Sequence, residues 1–173
     1  PYGLEGLVEA NGWAGSNAPH AIGEAADSSR LALLLGAGTS GPVRVADIEV
    51  RRHAGMCIRR QIVQLSAQQL VIVDDASNSD AGTETIWTTD PRLTLHQVDK
   101  LAFASNSTET GHQLHIGLAS SVDPEVALLR GSSSPFAGWV VSWGVPQPSY
   151  AIRVTHPNGN AATATLIEIT ESS

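Results

Sequence analysis

The chain reads as an all-β domain, an antiparallel two-layer β-sandwich, and three observations say so. Apolar residues recur with period two in short runs along the whole length. Turn clusters rich in Gly, Asn, Asp and Ser separate those runs, and no long stretch carries helical periodicity. About a dozen strands at such short intervals fit a sandwich rather than a parallel α/β sheet.

Taken in order, Val43 and Val45 share one parity and Ile48 and Val50 the other, so the phase changes near Ala46 and Asp47 and a β-bulge is predicted there. Residues 58–65 and 70–73, joined by 66–69, predict a hairpin whose continuously apolar return strand is central. Residues 74–82 read as a turn opened by Asp74 and Asp75, after which strands resume over 83–89 and 93–103. Leu114, Ile116 and Leu118 share one face, with Gln113 and His115 on the other. Asp123-Pro124-Glu125 has the chemistry of a helix cap and predicts one short helical turn to about residue 129. Trp139, Val141 and Trp143 alternate with Val140 and Ser142. Tyr150, Ile152 and Val154 and then Thr163, Thr165, Ile167 and Ile169 flank Asn158-Gly159, which predicts a second hairpin. The expected core includes Leu114, Ile116, Trp139, Val141, Ile152 and Val154.

Composition bounds the function. A chain of 173 residues, 42% hydrophobic and 16% charged, is one folded domain, spanning 1–173, with enough material for a core. The net charge of −7 argues against nucleic acid as a partner, because phosphate recognition leaves a basic surplus. No apolar run approaches the roughly 18 residues of a spanning helix. Cys57 is the one cysteine; it excludes an internal disulfide and sits in an apolar strand pattern as a small hydrophobe.

Five of the ten basic residues, Arg44, Arg51, Arg52, Arg59 and Arg60, fall between positions 44 and 60, relieved by Asp47 and Glu49. Two readings stand: a solvated strand face, or local attraction for the carboxylate or sulfate groups of an acidic polysaccharide. Arg52, Arg59 and Arg60 are the substrate-binding candidates on the second reading. Nucleophile-elbow, zinc-protease, phosphate-loop and paired-cysteine signatures are all missing. His112 and His115 do not form a metal pair, since His112 precedes the strand and only His115 lies on its polar face.

Several blocks, in order, resemble the C-terminal β-sandwich of heparinase II/III-like polysaccharide lyases. Gly12-Trp13 through Asn17-Ala18-Pro19-His20, followed by Asp27-Ser28-Ser29-Arg30, resembles the block that opens that sandwich. Arg59-Arg60-Gln61-Ile62-Val63 and Leu70-Val71-Ile72-Val73-Asp74-Asp75 resemble its next strand pair, Thr85-Ile86-Trp87 the strand after it, and Val141 through Pro148 with Thr165-Leu166-Ile167 its closing strands. The resemblance covers nearly the whole chain, and its specificity lies in the order of the blocks.

The resemblance implies that a helical toroid domain precedes Pro1 in a longer parent, its partner in building a substrate cleft. It also implies a secreted or periplasmic location and cleavage of uronic-acid glycans by β-elimination. A base takes the C5 proton, a neutralised carboxylate stabilises the enolate and an acid protonates the leaving oxygen. Carried over residue by residue, His20 stands at the family's histidine position and is the catalytic candidate; read from its neighbours alone, it is a turn or cap residue beside Pro19. The hydroxyl or amide residues expected after it are Ala21-Ile22 here. The family's zinc site of His, Asp and His would use His20 and Asp47, but Thr88-Thr89-Asp90 replace the third ligand, so no zinc and no other cofactor is expected. Two other functions fit the same residues: a non-catalytic carbohydrate-binding module, and a structural interaction sandwich.

Overall fold

Period-two alternation gives each strand one face to bury, and two sheets bury such faces by stacking. The structure, a computed structural model, describes residues 17–25, 30–52, 55–78, 80–106, 111–142 and 144–171. Its strands are β1 (His20–Ala21), β2 (Arg30–Ser40), β3 (Val43–Arg52), β4 (Cys57–Gln64), β5 (Gln69–Ser77), β6 (Thr83–Thr88), β7 (Leu95–Asp99) and β8 (Ala102–Ser105). They continue as β9 (His112–Ser120), β10 (Glu125–Arg130), β11 (Ser132–Ser133), β12 (Phe136–Ala137), β13 (Trp139–Ser142), β14 (Val145–Pro148), β15 (Tyr150–His156) and β16 (Ala161–Glu171). A four-stranded sheet runs β1-β6-β15-β10, an eight-stranded sheet runs β2-β3-β4-β5-β16-β9-β8-β7, and β11–β12 and β13–β14 are separate ribbons. The two large sheets are antiparallel and form the sandwich. Among the described residues there is no helix, hence none long and apolar enough to cross a membrane.

The layers meet in one core. Ile72, Phe103, Ile116 and Leu118 from the large sheet pack with Trp87, Ile152 and Val154 from the small one. Burying side chains such as Phe103 and Ile152 completely stabilises the stack by about 1.5–3 kcal/mol each. A second cluster of Met56, Ile58 and Ala76, with Ala21 and Val50 against it, fills the end beside β1. Strand β5 lies fourth of eight, central as its apolar run predicts. Gly82 sits where the chain enters β6; a Cβ there would lie 2.4 Å from the carbonyl oxygen of His156, and its φ of 75° is one that glycine alone adopts without strain.

Several expectations are corrected by tertiary pairing. The run around Asn158-Gly159 is a crossover and not a hairpin: β15 bonds to β6 and β10, while β16 bonds to β5 and β9. The tight turn reverses the chain, but the two strands turn their apolar faces toward each other from opposite layers. Residues 125–130 form strand β10 instead of a helical turn, because six residues in register with β15 outweigh a local cap signal. Asp74 and Asp75 lie inside β5, which runs on to Ser77 before the turn begins. Residues 93–103 are a hairpin of β7 and β8.

The bulge falls where the phase change places it, but in the partner strand. Register slips between Leu34 and Gly36 of β2, opposite Ile48 and Asp47, while β3 runs unbroken against β4. Val45 therefore stays on the outer face, 44% exposed. Ile116, Ile152 and Val154 are buried and Leu114 packs against them. Trp139 and Val141 are only half-buried, because β13 pairs with β14 alone and joins neither sheet. Trp13 and Trp143 lie outside the described residues.

Candidate functional site

Strand β1 has two residues, and its pairing with β6 sets His20 opposite Glu84 and Ala21 opposite Thr83. Ala21 points inward to the second core cluster, so His20 points outward from the small sheet. There His20 Nε2 lies 3.1 Å from Glu84 Oε1, and Nδ1 lies 3.5 Å from the Ala18 carbonyl oxygen. The second Glu84 oxygen accepts from the guanidinium of Arg153. Arg153 is opposite Ile86 in the β15–β6 register, one step diagonal from Glu84 on the same face.

In this His–Glu–Arg cluster His20 and Glu84 are buried, 0% and 5% exposed, while Arg153 is half-buried. Burial alone would raise the Glu84 pKa, but the His20 hydrogen bond and the Arg153 charge outweigh it, and the net shift is downward. Glu84 is thus a carboxylate at neutral pH. Because a carboxylate only accepts, Nε2 of His20 carries the proton in this contact. The arrangement fixes the orientation of the imidazole, and its full burial keeps solvent off the ring.

The arginine candidates do not join His20. Arg59 lies on the outer face of the large sheet, where its Nε and Nη2 donate to Asp47 at 3.0 and 2.6 Å. Asp47 is held below the usual carboxylate range, first of all by that hydrogen bond. Arg60 points inward, donates to Asp74 at 2.6 and 2.8 Å, and sets its guanidinium 5.5 Å from the centre of the Trp87 ring. Arg52 ends β3, and its side chain lies outside the described residues. His20 and Asp47 occupy opposite outer faces of the sandwich and cannot share a metal ion. Among the described residues no three His, Cys, Asp or Glu side chains gather as a metal site.

Sequence reasoning missed Glu84 and Arg153. The signal lay in the strands themselves: each is the lone charge in an otherwise apolar and threonine-rich run, Thr83-Glu84-Thr85-Ile86-Trp87 and Ala151-Ile152-Arg153-Val154-Thr155. A single charge in a buried strand needs a partner.

No family model and no curated protein matches this sequence. Solved structures do share its fold. A heparinase III gene product aligns with a TM-score of 0.71 at 13% identity, over 91% of this chain and 24% of that one. A second heparinase III crystal structure gives 0.71 at 12%, again over 91% and 24%. Heparan sulfate lyase HepC from Pedobacter heparinus gives 0.64 at 12%, over 82% and 22%. At these identities the likeness is one of fold, and this chain spans about a quarter of those proteins' length.

Proposed function

We propose that this chain is the accessory β-sandwich of a heparinase III-like polysaccharide lyase, completing one wall of a cleft for an acidic, uronate-containing glycan. The observation that carries this reading is the fold likeness to heparinase III structures over nearly all of this chain and about a quarter of theirs. The remaining catalytic groups belong to a helical domain of the same parent, exported to the periplasm or secreted.

The chemistry supports an accessory role. β-Elimination needs a base for the C5 proton, a donor to the leaving oxygen and a neutraliser of the carboxylate, all converging on one sugar. Here the His20 ring is buried against Glu84, Arg60 is committed to Asp74, and Arg59 is on the opposite outer face from His20. Tyr150 packs against the core with Arg130 over its ring at 5.3 Å. In the parent, His20 acts on this wall as a positioning residue, its buried ring held by Glu84. The test is to express the natural protein containing this chain and assay heparan sulfate, chondroitin sulfate and alginate for unsaturated uronate ends. Cleavage of at least one supports the proposal, and a parent whose flanking sequence encodes another catalytic fold and leaves all three intact overturns it.

A further inference from the structure

Strand β2 has the sequence of a central strand and the position of an edge. Its Leu31-Ala32-Leu33-Leu34-Leu35 is the longest uninterrupted apolar run in the chain, and no charged residue falls between positions 31 and 43. Such runs belong to strands flanked on both sides and covered on both faces. The shorter run at 70–73 follows that rule, since β5 lies fourth of eight. Strand β2 is instead the outermost of the eight, paired with β3 alone.

Its leucines stand in the open on both faces. Ala32 and Leu34 lie opposite Val50 and Ile48 on the inner face, yet Leu34 is 67% exposed, so the small sheet does not cover it. Leu31 lies opposite Arg51 on the outer face and is 55% exposed. The other edges of the two large sheets carry the features that discourage association. Strand β1 has two residues, β7 has five with a register shift beside Asp99, and β10 bears Glu125 and Arg130. Residues 31–34 carry none of these, and the bulge between Leu34 and Gly36 begins where they end.

The unpaired N–H and C=O groups of an edge are complementary to another strand. A helix bonds its own backbone internally, so the helical domain of the proposed parent does not satisfy this edge. The incoming strand has to be uncharged and apolar on both faces, because a charge set against Leu31 or Leu34 would be desolvated without a partner. Among the edge strands of the two large sheets, β2 alone has that composition, and antiparallel pairing of a strand with its own copy is closed by a two-fold axis. We propose that this chain forms a homodimer in which residues 31–34 of two copies pair antiparallel and join their large sheets edge to edge. The dimer does not rest on the lyase reading, since the edge is the same whatever the parent cleaves.

The test is sedimentation equilibrium of this chain at concentrations up to about 100 μM, with amide hydrogen exchange followed by mass spectrometry. The expected species has twice the 18.1 kDa mass of the chain, and residues 31–34 exchange more slowly in it than after dilution to monomer. Leu34→Lys sets like charges close together across the two-fold axis and should weaken the dimer roughly tenfold or more. Leu31→Lys should do the same from the outer face. Both side chains are exposed in the single chain, so the circular dichroism of each variant should match that of the unaltered protein. A monomer at every concentration overturns the proposal. So does a dimer that both variants retain, or one in which residues 31–34 gain no protection, since another surface would then hold the copies together.

Discussion

Arg60 and Asp74 are cross-strand partners on β4 and β5, and their side chains close a bidentate ion pair inside the sandwich at 2.6 and 2.8 Å. The pair is 14% and 6% exposed, and Arg60 also reaches across to Trp87 of the facing sheet. Burial pushes the Asp74 pKa up, and the Arg60 contact offsets that only in part. A pair in this position contributes little when intact but is costly to break. Asp74→Ala should therefore destabilise by about 3–5 kcal/mol in urea denaturation, whereas the double variant Arg60→Met with Asp74→Leu should recover most of the loss. A cost below about 1 kcal/mol for Asp74→Ala would show that the pair does not form.

Loss of Glu84 should be felt at two partners. Glu84→Ala leaves His20 and Arg153 without their shared acceptor, at a cost of about 2–4 kcal/mol. Adding His20→Ala should cost little more, a non-additivity that thermal unfolding of the two single variants and the double variant measures. The folded-state pKa of Glu84 is depressed, so its contribution is full above the ordinary value of 4.5 and is lost as pH falls through the lower folded value.

His156 should make stability pH-dependent in a higher window. It is 4% exposed at the crossover between layers, with Nε2 2.8 Å from Ser120 Oγ and 3.4 Å from Thr163 Oγ1. Burial holds its pKa below the ordinary 6.5. Its stabilising contribution is thus full above pH 6.5 and falls away as pH drops through the lower folded value. His156→Gln can keep a hydrogen bond to Ser120 and cannot titrate, so melting curves from about pH 7.5 to pH 5 should slope less in the variant. Equal slopes would assign the effect to another group.

Lys100 and Asp123 give the contrasting case. Their side chains are 55% and 82% exposed, so Asp123→Asn should change stability by less than about 1 kcal/mol, the range of solvated surface pairs. A larger loss in chemical denaturation would mean that this corner is far less solvated than its exposure states.

The sequence made the strands legible more readily than their partners. Ile116, Ile152 and Val154 were recoverable as core because alternation is a local property. Sheet membership is not local: Asn158-Gly159 specifies a reversal, and whether the flanking strands bond or face each other is decided by β5, β6, β9 and β10. Strand β10 was hidden for the same reason, since Asp123-Pro124-Glu125 carries cap chemistry and its pairing with β15 is long-range. His20 was legible through a resemblance, whereas Glu84 and Arg153 lie 64 and 133 positions further along the chain (84 − 20 and 153 − 20) and meet His20 only through the register of β1, β6 and β15.

The most direct test of the accessory-domain account is the ultraviolet absorbance of unsaturated uronate, followed with this chain alone and with its parent protein on heparan sulfate and alginate. The account predicts no product from the isolated chain, since its described residues bring no base, donor and carboxylate neutraliser together at an exposed point. Turnover by the isolated chain that disappears in His20→Ala would contradict it and make the sandwich an enzyme in its own right.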